Sequence, residues 1–312
     1  MDIDKAKSKF WDFVSSIEKD DRKQFFVWMK DEVLPEYINS SINGDYQQGS
    51  VKMERIAADI RDKVPLEAVL QTETIIYPTV GEDSHLTSEN TVHLDAFLYD
   101  EAGEEELIDQ GLLSRSYCQD CGSRNIEDLT IITHSCSKVR LQFMFGDLLP
   151  SLEGKTVVDI GSRIGAVLYG AYYYSAASKI VGIEINGDLC RIQKDIVQKF
   201  ELGDRISVME GDMCNMPDVI RSGDVIILNN VFDWFMPPEL QITMWKFLRS
   251  TLSPGSMLVT IPSLESSLKP LNTGIDLDTW VEPLPKSGTR GSQEENDEVE
   301  TSEVCLYRVL DS

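Results

Sequence analysis

Strand-like and helix-like segments alternate regularly over residues 138–265, and this alternation limits the fold more than any other feature of the sequence. Short runs rich in β-branched residues, such as 156–160 and 225–228, are separated by amphipathic stretches such as 189–200. Nearly continuous apolar strands linked by helices are typical of a parallel sheet that is covered on both faces. We therefore predict an α/β fold with a Rossmann-like sheet, preceded by a helical and mixed α+β accessory region.

The accessory region divides into two parts by its pattern. Residues 1–64 are predicted to be helical, because aromatic residues such as Phe10, Trp11 and Phe13 recur at helical spacing, with a turn at Asn43-Gly44. Residues 65–137 predict a mixed α+β insert or lid with short strands at 74–77 and 91–99. The main domain is then 138–312, with a flexible acidic loop near 287–303 and a closing strand after it.

The chain is strongly acidic, with 53 acidic against 29 basic residues and a net charge of −24. Proteins that bind nucleic acid usually offer a basic surface to the phosphates, so we expect no direct nucleic-acid partner and favour a basic protein segment. No apolar run approaches the ~18 residues of a membrane helix, so no membrane association is expected. The charged N-terminus has no signal-peptide pattern, and six unevenly spaced cysteines suit reduced thiols; both predict a cytoplasmic or nuclear location.

The strongest functional signal is a glycine-bearing turn between the first strand and its helix. Asp159 ends the strand, Gly161 and Gly165 lie in the turn, and Glu184 follows 25 residues after Asp159 at the end of the second strand. Glycines let the backbone approach a ligand at a helix N-terminus. An acid at the second strand's tip can accept hydrogen bonds from both ribose hydroxyls. The sequence thus predicts a nucleoside-binding site.

Two further strand ends carry suitable groups. Asp212 and Met213 follow the third strand, where an acid can accept from the adenine amine and an apolar side chain can cover the ring. Asn229 and Asn230 end the fourth strand, and Asp233 follows as a candidate general base. All of these positions lie at the carboxyl ends of parallel strands, where open α/β sheets bind ligands.

The segment 154–262 resembles the core of class I S-adenosylmethionine-dependent methyltransferases. The resemblance implies that S-adenosyl-L-methionine is the cofactor and that a methyl acceptor, either a protein side chain or a small-molecule nitrogen, is the substrate. By this resemblance, the cofactor contacts are Asp159, Gly161, Ser162, Arg163, Gly165, Glu184, Asp212, Met213 and Asn229. The string 225–232 also resembles the strand end of Dot1-like histone lysine methyltransferases, in which the residue matching Asn229 lies at the methyl-transfer site, and Asn229, Asn230 and Asp233 are the catalytic candidates.

Arg163 departs from the usual Gly-x-Gly-x-Gly pattern of the first motif. An arginine there would bring its side chain near the cofactor carboxylate or the substrate entrance. Two alternatives therefore stay open. One is a catalytically silent binding or scaffold protein with the same fold, and the other is an NAD-dependent oxidoreductase, in which a similar turn and acid occur.

A cysteine and histidine cluster is the last candidate site. Cys118 and Cys121 form a Cys-x-x-Cys knuckle, and His134 and Cys136 follow as a His-x-Cys pair. Four such ligands can close a tetrahedral zinc site. The alternative is that the cysteines are small buried residues or a loose dithiol and that His134 lines the substrate pocket.

Overall fold

The structure is a computed structural model that describes residues 3–19, 21–29, 34–118, 126–285 and 300–311. The chain falls into two compact units, Met1–Ser50 and Val51–Ser312. The division into 1–64, 65–137 and 138–312 that the sequence predicts stays a prediction.

The N-terminal part contains three helices: α1 (Ile3–Ser16), α2 (Arg22–Trp28) and α3 (Leu34–Arg61). The prediction of a turn at Asn43-Gly44 is wrong, because α3 runs through both residues. A single glycine weakens a helix by only about 1 kcal/mol, which the rest of a long helix can offset. Trp11 and Phe13 lie on α1 and are exposed.

Between α3 and Thr133, the described residues include short strands and a further α-helix. These elements are β1 (Thr91–Leu94), α4 (Glu101–Asp109), β2 (Ser116–Cys118), β3 (Ile126–Asp128) and β4 (Thr130–Thr133). β1 pairs in parallel with β4, and β2 pairs antiparallel with β3. The strand predicted at 91–99 ends at Leu94, and the one predicted at 74–77 does not form. Residues 74–77 pair with no strand in the described part of the chain, and Ile76 N donates to Trp234 O at 2.9 Å.

The main domain alternates strands and helices as predicted. Its elements are α5 (Lys138–Phe143), which continues into a π-helical turn (Met144–Leu148), β5 (Thr156–Ile160), α6 (Ala166–Tyr174), β6 (Lys179–Glu184), α7 (Gly187–Lys199), β7 (Ile206–Glu210), α8 (Pro217–Arg221), β8 (Val225–Asn229), α9 (Pro238–Thr251), β9 (Met257–Ile261), α10 (Leu264–Leu268), β10 (Val281–Pro283) and β11 (Cys305–Val309). β11 is the predicted closing strand. The acidic loop predicted near 287–303 lies largely outside the described residues.

Seven of these strands form one sheet in the order β10-β11-β9-β8-β5-β6-β7. β5 to β9 run parallel, and β11 is antiparallel to both of its neighbours. Numbered from β5, the order is 3-2-1-4-5-7-6, so the chain reverses its direction of winding between β5 and β8. Ligands of open α/β sheets bind at such a switch point, outside the carboxyl ends of the strands.

The central strands are buried on both faces, which explains their continuous apolar runs. Val158, Val181, Ile226 and Leu258 are at most 1% exposed and belong to the main core cluster. Because these parallel strands pack side by side, their carboxyl ends, and the side chains that follow them, lie at the same edge of the sheet. Within the described ranges, every helix is too short or too polar to cross a bilayer.

Candidate functional site

The turn after β5 has the backbone that its glycines predicted. Gly161 and Gly165 have φ values of 74° and 91°, and Gly161 N donates to Ile183 O at 2.8 Å, which ties the turn to β6. A Cβ atom built on Gly161 would lie 2.2 Å from Val231 Cγ2. The turn thus needs glycine at Gly161 for its conformation and for the close approach of the loop after β8.

Glu184 ends β6 beside this turn, as expected for a ribose-binding acid. Its side chain accepts two backbone hydrogen bonds, Oε2 from Arg163 N at 2.9 Å and Oε1 from Asn186 N at 2.8 Å. Burial raises the pKa of Glu184, and the two backbone hydrogen bonds oppose that shift. Because a carboxylate offers about four acceptor sites, two stay available for a ligand's hydroxyl groups.

Asp159 is buried at the end of β5 near Glu184. Burial and then the charge of Glu184 raise the pKa of Asp159 to about 8. The two neighbouring carboxyl groups therefore tend not to be ionised together in the free protein. A positively charged ligand between them would favour ionisation of both.

The structure places Asp212 and Met213 in different surroundings after β7. Asp212 is only partly buried, and its Oδ1 accepts from Cys214 N at 2.8 Å, at the start of a short 3-10 turn. Met213 is buried and packs in the main core cluster with Ile160 and Ile183. Asp212 thus retains acceptor capacity toward the sheet edge, whereas Met213 contacts the core.

The residues after β8 line a large cleft. Asn229, Asn230 and Asp233 line it, and its volume is about 1290 Å³. Asn230 has a left-handed backbone with φ of 44°, and its Oδ1 is buried without a hydrogen-bond partner among the described residues. Burial and then the charge of Asp83 raise the pKa of Asp233 to about 6. The catalytic candidates therefore share one cavity beside the switch point.

Arg163 is directed away from the position that the sequence suggested. Its guanidinium is buried, forms an ion pair with Glu73 and donates to Ala68 O. Its Nε lies 3.8 Å from Asp95 Oδ2, and the guanidinium lies 5.7 Å from the Phe235 ring centroid. The arginine thus pairs with carboxylates of the accessory segment instead of standing free at the cofactor or substrate entrance.

The four proposed zinc ligands are only partly described. Cys121 lies outside the described residues, Cys118 is exposed on β2, and Cys136 is buried, which raises the pKa of its thiol. Within the parts of the chain that the structure describes, no three His, Cys, Asp or Glu side chains are gathered to hold a metal ion. The structure therefore does not bring Cys118, His134 and Cys136 together as a ligand set.

His134 instead belongs to a histidine pair that sequence reasoning missed. His93 Nδ1 and His134 Nε2 lie 2.8 Å apart, and Tyr77 Oη lies 3.4 Å from His93 Nε2. Burial and then the Arg163 charge lower the pKa of His93, and the same two causes lower the pKa of His134 to about 2. The lowered pKa values favour neutral rings, in which one of these two nitrogens donates to the other. No local pattern signals this pair, because β1 and β4 bring the two rings together from 41 residues apart.

Sequence comparison links the chain to one curated methyltransferase. No protein-family model matches the chain. The chain is 31% identical over 97 residues to the ribosomal protein L11 methyltransferase of Enterobacter sp. (strain 638), a match that covers 31% of this chain and 31% of the relative. The chain thus spans less than a third of that relative's length.

Several solved structures are also similar to this chain. One is an RNA methyltransferase from Salinibacter ruber in complex with S-adenosyl-L-homocysteine, at 17% identity and a TM-score of 0.38, covering 58% of this chain and 95% of that one. Another is a methyltransferase from Geobacter sulfurreducens, at 16% identity and a TM-score of 0.35, covering 55% of this chain and 78% of that one.

The sheet is Rossmann-like, the glycine turn lies beside its acid, and the chain shares sequence with one curated methyltransferase. The class resemblance predicted from segment 154–262 is thereby confirmed. The likeness to Dot1-like enzymes and the individual roles of the site residues stay predictions.

Proposed function

We propose that the chain transfers a methyl group from S-adenosyl-L-methionine to a nitrogen of a protein side chain or of a small molecule. One observation supports the proposal: the candidate nucleoside-binding residues and the cleft-lining Asn229 follow neighbouring strands at the same edge of the sheet. Glu184 and Asp212 follow two strands on one side of β5, and Asn229 follows β8 on the other. A cofactor lying across the strand ends would present its reactive end toward the cleft.

The residues present fit this cofactor. Glu184 retains acceptor sites for the ribose hydroxyls, Asp212 retains acceptor capacity for the adenine amine, and the turn at Gly161 offers backbone to the methionine part. The cofactor supplies an electrophilic methyl group on a sulfonium. The protein must align the acceptor with that group and, for some acceptors, accept a proton. In this proposal Asn229 and Asn230 orient the acceptor and Asp233 takes the proton, which is supported by their shared position in the lining of the cleft.

The cleft favours a cationic acceptor. Six acidic side chains line it against two basic ones, Arg140 and Lys269, and Arg140 forms ion pairs with Glu300 and Glu303; the acids are Glu82, Asp83, Asp233, Glu239, Glu265 and Glu303. A negative cleft raises the local concentration of cations. Together with the net charge of −24, this supports a lysine, arginine or histidine of a basic protein, or an organic amine, as the acceptor.

The sheet order argues against the oxidoreductase alternative. The dinucleotide-binding sheet has the order 3-2-1-4-5-6. Here an additional antiparallel strand, β11, lies between β9 and β10. The dinucleotide-binding order has no such strand, so the observed order does not match it.

Two assays test the proposal. Thermal unfolding should shift upward with S-adenosyl-L-homocysteine and not with NAD, because a ligand that binds only the folded state stabilises it in proportion to log concentration. Labelled methyl from S-adenosyl-L-methionine should then enter basic proteins or amines in fractionated extract. Binding without transfer to any protein, metabolite or RNA would support the silent scaffold, and transfer to RNA would contradict the expected acceptor class.

A further inference from the structure

The segment 68–77, here called the strap, contacts both sides of the proposed ribose acid. Arg163 and Asn186 donate their backbone N–H groups to Glu184, and the side chains of both are held by the strap. Arg163 pairs with Glu73 and Ala68 O, and Asn186 Nδ2 donates to Thr72 Oγ1 at 3.1 Å. The strap thus spans the acid that a cofactor must reach.

Glu184 is correspondingly inaccessible. It is 7% exposed, and neighbouring Asp159 and Ser162 are also buried. A carboxylate that binds ribose hydroxyls has to meet the ligand directly, so some covering group has to move when a ligand binds. The strap is the candidate because it has no helix or strand of its own, and the side chains of Arg163 and Asn186 connect it to the two residues that donate to Glu184.

The ion pair between Arg163 and Glu73 is the candidate for the contact that breaks when the strap opens. The guanidinium is buried with Glu73, and its Nε has no hydrogen-bond partner in the described part of the chain. Ala68, which accepts from it, has a left-handed backbone with φ of 49°, as does Arg163 with φ of 50°. Strained non-glycine backbone and an incompletely satisfied buried charge persist only where the surrounding contacts impose them.

The strap also reaches the acceptor side. Ile76 N donates to Trp234 O at 2.9 Å, and Tyr77 lines the cleft with Asp233. Trp234 packs edge-on against Tyr77, with ring centroids 5.6 Å apart. One short segment therefore links the cofactor acid to the loop that carries the catalytic candidates.

We propose that the strap is a lid over the ribose end of the cofactor site, fastened by the Arg163–Glu73 ion pair, and that it opens for cofactor to enter and leave. This inference rests on the proposed function, because it takes S-adenosyl-L-methionine as the ligand at Glu184. Arg163 is then a positioning residue that replaces the motif glycine and couples the turn to the strap.

The test measures association and dissociation rates of S-adenosyl-L-homocysteine by stopped flow. A lid scales both rates by the fraction of time it is open. Glu73→Gln weakens the Arg163–Glu73 ion pair and should therefore raise the association and dissociation rates by about fivefold or more. The Kd should change by less than about threefold. Glu67→Gln is the matched control, because Glu67 is exposed and lies just before the strap.

Hydrogen exchange of the wild-type protein gives a second readout that needs no variant. S-adenosyl-L-homocysteine should slow amide exchange over 68–77 by about tenfold or more, since a closed lid exchanges only when it opens. Unchanged exchange there, or a Glu73→Gln variant in which only dissociation speeds up, would overturn the lid. Failure of the wild-type protein to bind S-adenosyl-L-homocysteine would overturn the proposed function itself and the lid with it.

Discussion

Replacing Glu184 with glutamine tests the central claim about the cofactor site. The substitution keeps the shape of the side chain and removes its charge. In the wild-type protein the carboxylate accepts from Arg163 N and Asn186 N at 2.9 and 2.8 Å and retains two acceptor sites. A glutamine amide supplies one oxygen, so its NH₂ group must face either a backbone N–H or a ribose hydroxyl.

The expected magnitude follows from these contacts. Hydrogen bonds to a charged acceptor contribute about 1.5–3 kcal/mol, against about 1 kcal/mol for neutral pairs. Two ribose hydroxyls that lose the charged partner should weaken binding of S-adenosyl-L-homocysteine by about 2–3 kcal/mol, or about 30- to 150-fold in Kd. Without ligand, the unsatisfied backbone N–H should lower the free energy of unfolding by about 1–3 kcal/mol.

Titration calorimetry with S-adenosyl-L-homocysteine measures the first effect, and denaturant unfolding without ligand measures the second. Glu210→Gln is the matched control, because Glu210 pairs in register with Glu184 on the neighbouring strand but is exposed. If Glu184→Gln stays folded and binds as tightly as Glu210→Gln, Glu184 is not the ribose acid and the cofactor assignment is wrong.

Three further predictions concern charge and chemistry at the strand ends. The pKa of Asp159 is about 8 in the folded protein and about 4 in the unfolded chain, so between these pH values the folded state binds the extra proton. The free energy of unfolding should therefore fall as the pH rises from about 4 to about 8. Urea unfolding at a series of pH values should show a weaker fall in Asp159→Asn. Methyl transfer should rise with pH as Asp233 loses its proton near pH 6, and Asp233→Asn should remove that step from the pH–rate profile. Asn229→Ala should lower transfer by at least about a hundredfold at saturating S-adenosyl-L-methionine; retained turnover in the labelled-methyl assay would contradict its role.

The strands of the sheet could be predicted because each is indicated by the pattern of its own few residues. Runs such as 156–160 and 225–228 are rich in β-branched residues, which is typical of strands in a covered parallel sheet, and β5 and β8 form there. The end of each strand then fixes where Asp159 and Glu184 lie. The wrong strand at 74–77 shows the limit of this logic, because β-branched residues favour extended backbone but a ladder also needs a partner strand.

The strap and the histidine pair could not be predicted, because nothing local specifies them. Glu73 and Arg163 are 90 residues apart, and His93 and His134 are 41 apart. Each contact depends on how the accessory segment packs, and a polar residue in an irregular segment has no periodicity that shows its partner.

Arg163 illustrates both cases, because the motif describes the backbone conformation at this position but not the partner of the side chain. The first-motif pattern describes the backbone of the turn, and Arg163 adopts the left-handed φ of 50° that favours glycine. Its backbone N–H still serves Glu184, so the departure from the pattern leaves the acid's hydrogen bond intact. The side chain, which the pattern does not describe, contacts Glu73 instead of blocking the strand ends. A missing motif glycine is therefore weak evidence for a silent site here, because the function of that glycine is conformational and the arginine fulfils it.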